Sequence, residues 1–309
     1  MKTRLFMFPG QGSQQVGMGK EFFEKSQEAR ELFELADDLL GFSLSQLCFN
    51  GPEDDLKLTC NTQPALLTVS YIAYRLLGEK PQVAAGHSLG EYSALVAAGS
   101  LSFEQALKLV ANRGKYMMEA VPPGQGTMAA IMGLDYRKIE ETLREVKSGV
   151  VEVANWNSDE QIVIAGEKKA VEEAVEKLQA PRAVFLQVSG PFHTSLMTPA
   201  GEKLKADLDQ VAIKDPEFPV ISNFSGKLMT TAAEVKESLT RQIVNPVLWY
   251  PSMMKAAELG IEIAVELGSG KVLTGLLKRI SRRWLQPPAL YNIEDMASLE
   301  KFRQTASGG

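Results

Sequence analysis

The stretch Gly86-His87-Ser88-Leu89-Gly90 constrains this chain more than any other. It spells G-x-S-x-G between an apolar run at 81–85 with strand character and a small-residue run at 91–98 with helix character. A chain that passes from strand to helix in so few residues needs small neighbours on both sides of the turn, and the two glycines supply them. The serine is then presented at the N-terminus of the following helix, where backbone N–H groups can stabilise a developing oxyanion. A strand–turn–helix unit of this kind fits an α/β fold, in which a parallel sheet is joined by crossover helices.

A nucleophilic serine needs a base, and the 309 residues include two histidines. His87 adjoins the nucleophile, so the turn directs its side chain away from the serine hydroxyl. His193 is the histidine left for the task, in Ser189-Gly190-Pro191-Phe192-His193 after the apolar run at 183–188. In α/β-hydrolases the histidine lies near the C-terminus, after an acid. Here more than a hundred residues follow it, which argues against that family. At the other end, residues 4–8 form a compact apolar strand followed by Pro9-Gly10-Gln11-Gly12-Ser13-Gln14. Gly12 and Gly17 have the P-loop spacing, but Met18-Gly19 stands where Lys-Ser/Thr is required. The dinucleotide pattern fails at Gln15, where a third glycine is needed. Flexible backbone and amide side chains at a strand end suit an oxyanion hole instead.

Phe8-Pro9-Gly10-Gln11-Gly12-Ser13-Gln14, Gly86-His87-Ser88-Leu89-Gly90-Glu91, Asn112-Arg113-Gly114 and Pro191-Phe192-His193 occur in that order. Together they resemble the malonyl-CoA:acyl-carrier-protein transacylases, which share a superfamily with the acyltransferase domains of polyketide synthases. The resemblance runs from Phe6 to Glu266-Leu267-Gly268-Ser269-Gly270-Lys271. It implies ping-pong transfer of a malonyl group from malonyl-CoA to the phosphopantetheine thiol of acyl carrier protein, in fatty-acid biosynthesis and without cofactor or metal. Ser88 then resembles the nucleophile, and His193 the base that later protonates the leaving thiolate. Arg113 resembles the arginine that pairs with the free carboxylate of malonate, for which a planar guanidinium is well shaped. A helix over 103–118 also allows Arg113 to be a surface charge. Gln11 and Leu89 resemble the oxyanion pair, acting through backbone N–H groups. Gln242 resembles the residue whose main-chain carbonyl orients the histidine, making a Ser–His dyad with no third acid; as a helix residue it equally fits a solvent-facing position. Asn155 and Asn157 match a segment lining the acyl pocket, and Phe192 accompanies selection of malonyl over the branched methylmalonyl group. A stand-alone acyltransferase of a polyketide synthase shares every one of these motifs. A serine esterase or thioesterase shares the elbow, but the position of His193 and the presence of Arg113 speak against it. A non-catalytic scaffolding relative would not need Ser88, His193, Gln11 and Arg113 together.

The length exceeds what one core usually serves, so two lobes are expected. Strand-like 127–133, helical 136–146, strand-like 151–156 and 161–165, helical 168–178 and strand-like 183–188 give the order βαββαβ, a ferredoxin-like unit. Pro122-Pro123-Gly124-Gln125-Gly126 marks its entrance. Strands near 4–8, 82–85, 219–223 and 261–267 build the rest, an α/β-hydrolase-like lobe with a parallel sheet. The expected division is 1–124 with 196–309 for the large lobe and 125–195 for the inserted one. The site is expected in the cleft between them.

Cys48 and Cys60 make neither a disulfide framework nor a metal motif, which implies a reducing cytoplasm and no structural metal. No apolar run reaches membrane-span length, the N-terminus lacks a signal pattern, and a net charge of −5 argues against nucleic acid as a partner. Lys278-Arg279 and Arg282-Arg283, following Lys271, form a basic cluster. It fits a docking patch for an acidic carrier protein or a solvated helix end whose dipole favours cations. Residues 305–309 read as a disordered tail.

Overall fold

The computed structural model describes residues 2–188 and 190–306. Its strands are β1 Arg4–Phe8, β2 Val83–Gly86, β3 Gly126–Met132, β4 Val151–Ser158, β5 Gln161–Glu167, β6 Arg182–Phe185, β7 Val220–Ile221, β8 Leu228–Met229, β9 Ile263–Leu267 and β10 Ala289–Ile293. Six of them form one sheet in the order β10-β9-β1-β2-β7-β8. Its neighbours run parallel, except β7 and β8, which form an antiparallel pair at the edge. Side chains alternate across the central strands. Phe6, Phe8, Ala84, Val265 and Leu267 enter one core layer, while Leu5, Met7, Val83, Ala85 and Ala264 enter the other. With both faces covered, these strands read as continuous apolar runs, as buried parallel strands do. Helices Thr59–Leu77, Leu89–Ala97 and Phe103–Glu119 cover the first face; Trp249–Glu258 and Val272–Ile280 cover the second.

The second sheet is antiparallel, in the order β4-β5-β3-β6. Helices Tyr136–Leu143 and Lys168–Leu178 interleave with its strands to give the ferredoxin-like βαββαβ unit. One face, with Ala129, Ile131, Ile162 and Ile164, packs on those two helices. The other, with Met128, Ala130, Ala154, Val163 and Ala165, joins the core of the large sheet. Strand β4 is also tied to the chain beyond helix Ala232–Gln242: the Val247 N–H donates to Ala154 O and the Trp156 N–H to Val247 O, both at 2.9 Å.

Several elements differ from expectation. The helix begun at Tyr136 ends at Leu143 rather than 146, and the strand expected at 183–188 is β6, which ends at Phe185. The strand expected at 219–223 shrinks to β7, because Ser222 and Asn223 turn away into side-chain hydrogen bonds. Strands β8 and β10 lie at the two sheet edges, and their partial exposure hides them from a search for apolar runs. Residue 305 belongs to the helix Met296–Ala306, and 307–309 and Ser189 lie outside the described residues. Among the described residues no helix is long and apolar enough to cross a membrane.

Candidate active site

The G-x-S-x-G turn joins β2 to the helix Leu89–Ala97. The His87 N–H still bonds Phe8 O of β1 at 3.0 Å, and the chain then reverses through Ser88 at φ 53°, ψ −106°. A Cβ on Gly86 would meet the Gly90 carbonyl carbon at 1.9 Å, and one on Gly90 would meet Phe8 O at 1.9 Å. Both glycines are therefore demanded by close approach. Asn223, just past β7, holds the turn from across the sheet: its Oδ1 accepts from the Ser88 N–H at 2.7 Å and its Nδ2 donates to Gly86 O at 2.6 Å.

Ser88 Oγ lies 2.7 Å from His193 Nε2, and His193 Nδ1 lies 3.0 Å from the main-chain oxygen of Gln242. A carbonyl can only accept, so Nδ1 carries the ring proton and Nε2 accepts from the serine. Gln242 ends the helix Ala232–Gln242, where carbonyls lack intrahelical partners. Burial, and after it the charge of Arg113, push the His193 imidazole down to about 3, so it is a neutral acceptor at neutral pH. His87 turns away from the serine: its Nε2 meets Asn157 Oδ1 at 2.8 Å and its ring lies 5.6 Å from that of Trp249.

Arg113 is buried, at 1% exposure, so it is not a surface charge. Its Nη1 donates to Gln63 Oε1 at 2.9 Å, and its Nη2 to Gln242 Oε1 at 3.0 Å and to Ser88 Oγ at 3.1 Å. The Gln242 side chain is likewise buried rather than solvent-facing. Nε of Arg113 has no partner, and no carboxylate pairs with the guanidinium among the described residues. Burial lowers its pKa from the ordinary arginine range. A buried guanidinium beside a serine hydroxyl, with no carboxylate paired to it among the described residues, has the chemistry to receive an anion.

These groups converge on a cavity of about 100 Å³. Ser88, His193, Arg113, Gln11, Leu89, Asn155 and Phe192 line it, with Met117, Met128, Leu186 and Val188 as its apolar wall. The backbone N–H groups of Gln11 and Leu89 donate to no acceptor among the described residues, so both are free for a ligand oxygen. Asn157 stands outside the lining and reaches the site only through His87; its Nδ2 donates to Gln161 Oε1 at 3.3 Å. A larger groove of about 890 Å³, at the amino ends of β9 and β10, contains none of these residues. Among the described residues no cluster of His, Cys, Asp and Glu is fit to hold a metal ion. In the basic cluster, Arg283 is already spent on an ion pair with Asp159.

Sequence reasoning missed Gln63, Asn223 and Glu91. Glu91 stands out as an acid among small residues, but nothing local names its partners; Gln63, which follows Thr59-Cys60-Asn61-Thr62, and Asn223 carry no signal of their own.

Residues 5–300 match the family model described as acyl transferase domain. The chain is 49% identical over 291 residues to the malonyl CoA-acyl carrier protein transacylase of Bacillus subtilis, with 92% of each chain covered. It is 46% identical over 283 residues to the Escherichia coli protein of that name, covering 89% of this chain and 92% of the relative. Among solved structures, an acyl-carrier-protein-S-malonyltransferase from Bartonella henselae superposes with a TM-score of 0.94 at 41% identity, over 99% of both chains. A malonyl-transacylase in complex with a type II PKS acyl-carrier protein gives 0.93 at 42% identity, over 97% of this chain and 98% of that one.

Proposed function

The chain belongs to the acyl transferase domain family, and from that premise we propose the course of its reaction. It is an enzyme that transfers the malonyl group of malonyl-CoA to the phosphopantetheine thiol of an acyl carrier protein, through a serine ester, in fatty-acid biosynthesis. The substrate carboxylate docks on Arg113. Ser88 Oγ attacks the thioester carbon while its proton passes to His193 Nε2, held in the accepting tautomer by the Gln242 carbonyl. The oxyanion rests on the N–H groups of Gln11 and Leu89. Collapse breaks the C–S bond, and CoA leaves as the thiol with the proton from His193. The carrier thiol then gives its proton to His193 and attacks the ester, and Ser88 departs with that proton. Phe192 crowds a branched α-carbon, Asn155 shapes the acyl pocket, and Asn157 supports the elbow through His87. No metal or organic cofactor enters these steps, and the setting is the cytoplasm. The lobes 1–124 with 196–309 and 125–195 enclose the site between them.

The observation that carries this reading is Arg113, a buried guanidinium without a carboxylate partner among the described residues, 3.1 Å from the nucleophilic oxygen. An esterase has no use for a cation there, whereas a carboxyl-bearing acyl group neutralises it. The likeness to a malonyl-transacylase bound to a type II PKS acyl-carrier protein favours a second reading of the acceptor, a polyketide carrier. Intact-protein mass spectrometry after brief exposure to malonyl-CoA tests the mechanism. One malonyl adduct is expected on the wild type, absent from Ser88→Ala and discharged by carrier protein. Steady CoA release without an adduct indicates a hydrolase, and neither signal refutes the substrate. Faster discharge by polyketide than by fatty-acid carriers selects the second reading.

A further inference from the structure

Glu91 is fully buried in the helix Leu89–Ala97 and forms no ion pair among the described residues. None of the proton transfers above uses it. Three donors converge on its carboxylate. Oε2 accepts from the Asn223 N–H at 2.8 Å and from Gln242 Nε2 at 3.1 Å, and Oε1 accepts from Ser238 Oγ at 2.7 Å. Two of these three residues hold the reacting groups. Asn223 fixes the Ser88 N–H, and Gln242 touches His193 through its main chain and Arg113 through its side chain.

The Gln242 amide is oriented from both ends. Its NH2 group faces Glu91 Oε2 and, at 2.9 Å, Ser88 O; its oxygen faces Arg113 Nη2. A flipped amide would turn its NH2 on a guanidinium and its oxygen on a carboxylate and a carbonyl, so each contact would become repulsive. The buried guanidinium and the buried carboxyl group, whose pKa burial raises, thus face each other across one amide.

We propose that Glu91 is a positioning residue that sets malonyl selectivity: its carboxylate orients the Gln242 amide, whose oxygen fixes Arg113 for the substrate carboxylate. The inference rests on Arg113 as the carboxylate clamp. Glu91→Met keeps the length and removes both acceptors, so the Gln242 NH2 group keeps Ser88 O but loses the partner at Oε2 that opposes its flip. Loading from malonyl-CoA is expected to fall roughly tenfold more than loading from acetyl-CoA, the scale of one misplaced charged hydrogen bond. Glu91→Gln can set its amide oxygen toward the Asn223 N–H and the Gln242 NH2 and its own NH2 toward the Ser238 hydroxyl, so it should preserve the ratio. Gln242→Met keeps the main-chain carbonyl on His193 and removes the amide, so it should lower the malonyl:acetyl ratio as Glu91→Met does. In that background Glu91→Met should lower the ratio no further. Equal losses for both acyl groups in Glu91→Met, a ratio lowered as far by Glu91→Gln, an unchanged ratio in Gln242→Met, or additive effects in the double variant would each overturn the relay. If Glu91→Met does not fold, the ratio in Gln242→Met decides alone. Arg113→Ala run alongside separates the two claims. A ratio unchanged there removes the clamp itself, while a lowered ratio there with no change in the other variants removes only the role of Glu91.

Discussion

Ser88 and His193, whose side chains meet at 2.7 Å, both sit on backbone of positive φ, 53° and 61°. Residues with a Cβ rarely adopt it, at a cost of order 1–3 kcal/mol each, and it persists where surroundings over-determine the conformation. Asn223 and the close-packed glycines supply that for Ser88. The environment of His193 has a consequence in pH. Its imidazole is lowered to about 3 by burial and by the Arg113 charge, so the base stays unprotonated, and competent, well below the ordinary histidine range. The acid limb of kcat/KM for loading, which reports the free enzyme, is therefore expected far below pH 6.5. Arg113→Ala removes one of the lowering causes and should move that limb to higher pH, measured with acetyl-CoA, which does not need the clamp. A limb near 6.5 in the wild type, or no movement in the variant, would contradict this account. Ser88 and His193 were legible in the sequence because a local motif and a scarce residue type announce them. Gln63, Asn223 and Glu91 were not, since their decisive hydrogen bonds span 50, 135 and 151 residues and leave no local pattern.

The element that carries Arg113, the helix Phe103–Glu119, starts at a capping box: Ser102 Oγ accepts from the Gln105 N–H at 3.2 Å, and Gln105 Oε1 accepts from the Ser102 N–H at 3.1 Å. Ser102→Ala should lower stability by about 1 kcal/mol. It should leave the malonyl:acetyl ratio unchanged, because Gln63 and Gln242, from two other helices, fix the guanidinium. Chemical denaturation together with both loading rates checks this, and a shifted ratio would show that the helix frame, not the two glutamines, places Arg113. Elements buried on two faces were the ones patterning revealed. Strand β2 is apolar throughout, β1 and β9 are apolar but for Arg4 and Glu266, and the strands and helices of the ferredoxin-like unit are marked by their own apolar positions. Strand β10, with one buried residue at its end, lacks that signature because it lies at the edge of the sheet.

At the scale of the molecule, the cavity takes its lining from both sheets: Met128 and Asn155 from the small one, the turn after β2 from the large. A narrow, dry acyl site therefore depends on the two sheets keeping their distance. The inner face of the small sheet lies in the core cluster of the large sheet. The Val247 ladder on β4, the His87–Asn157 bond at 2.8 Å and the Arg283–Asp159 ion pair reinforce that seam. If the small lobe opened by itself, Met128, Ala130, Ala154, Val163 and Ala165 would all meet water, and each buried methyl-sized group costs about 0.8 kcal/mol to expose. Opening alone is therefore expensive, and the lobes are expected to unfold together. Native-state hydrogen exchange tests this without any substitution. The slowest amides of β5 and of β9 should exchange through one opening reaction, with the same free energy and the same dependence on denaturant. A lower free energy and a shallower slope for β5 would show the inserted unit opening on its own; the acyl-enzyme would then meet water at the frequency of that opening, and its hydrolysis rate would track the β5 exchange rate.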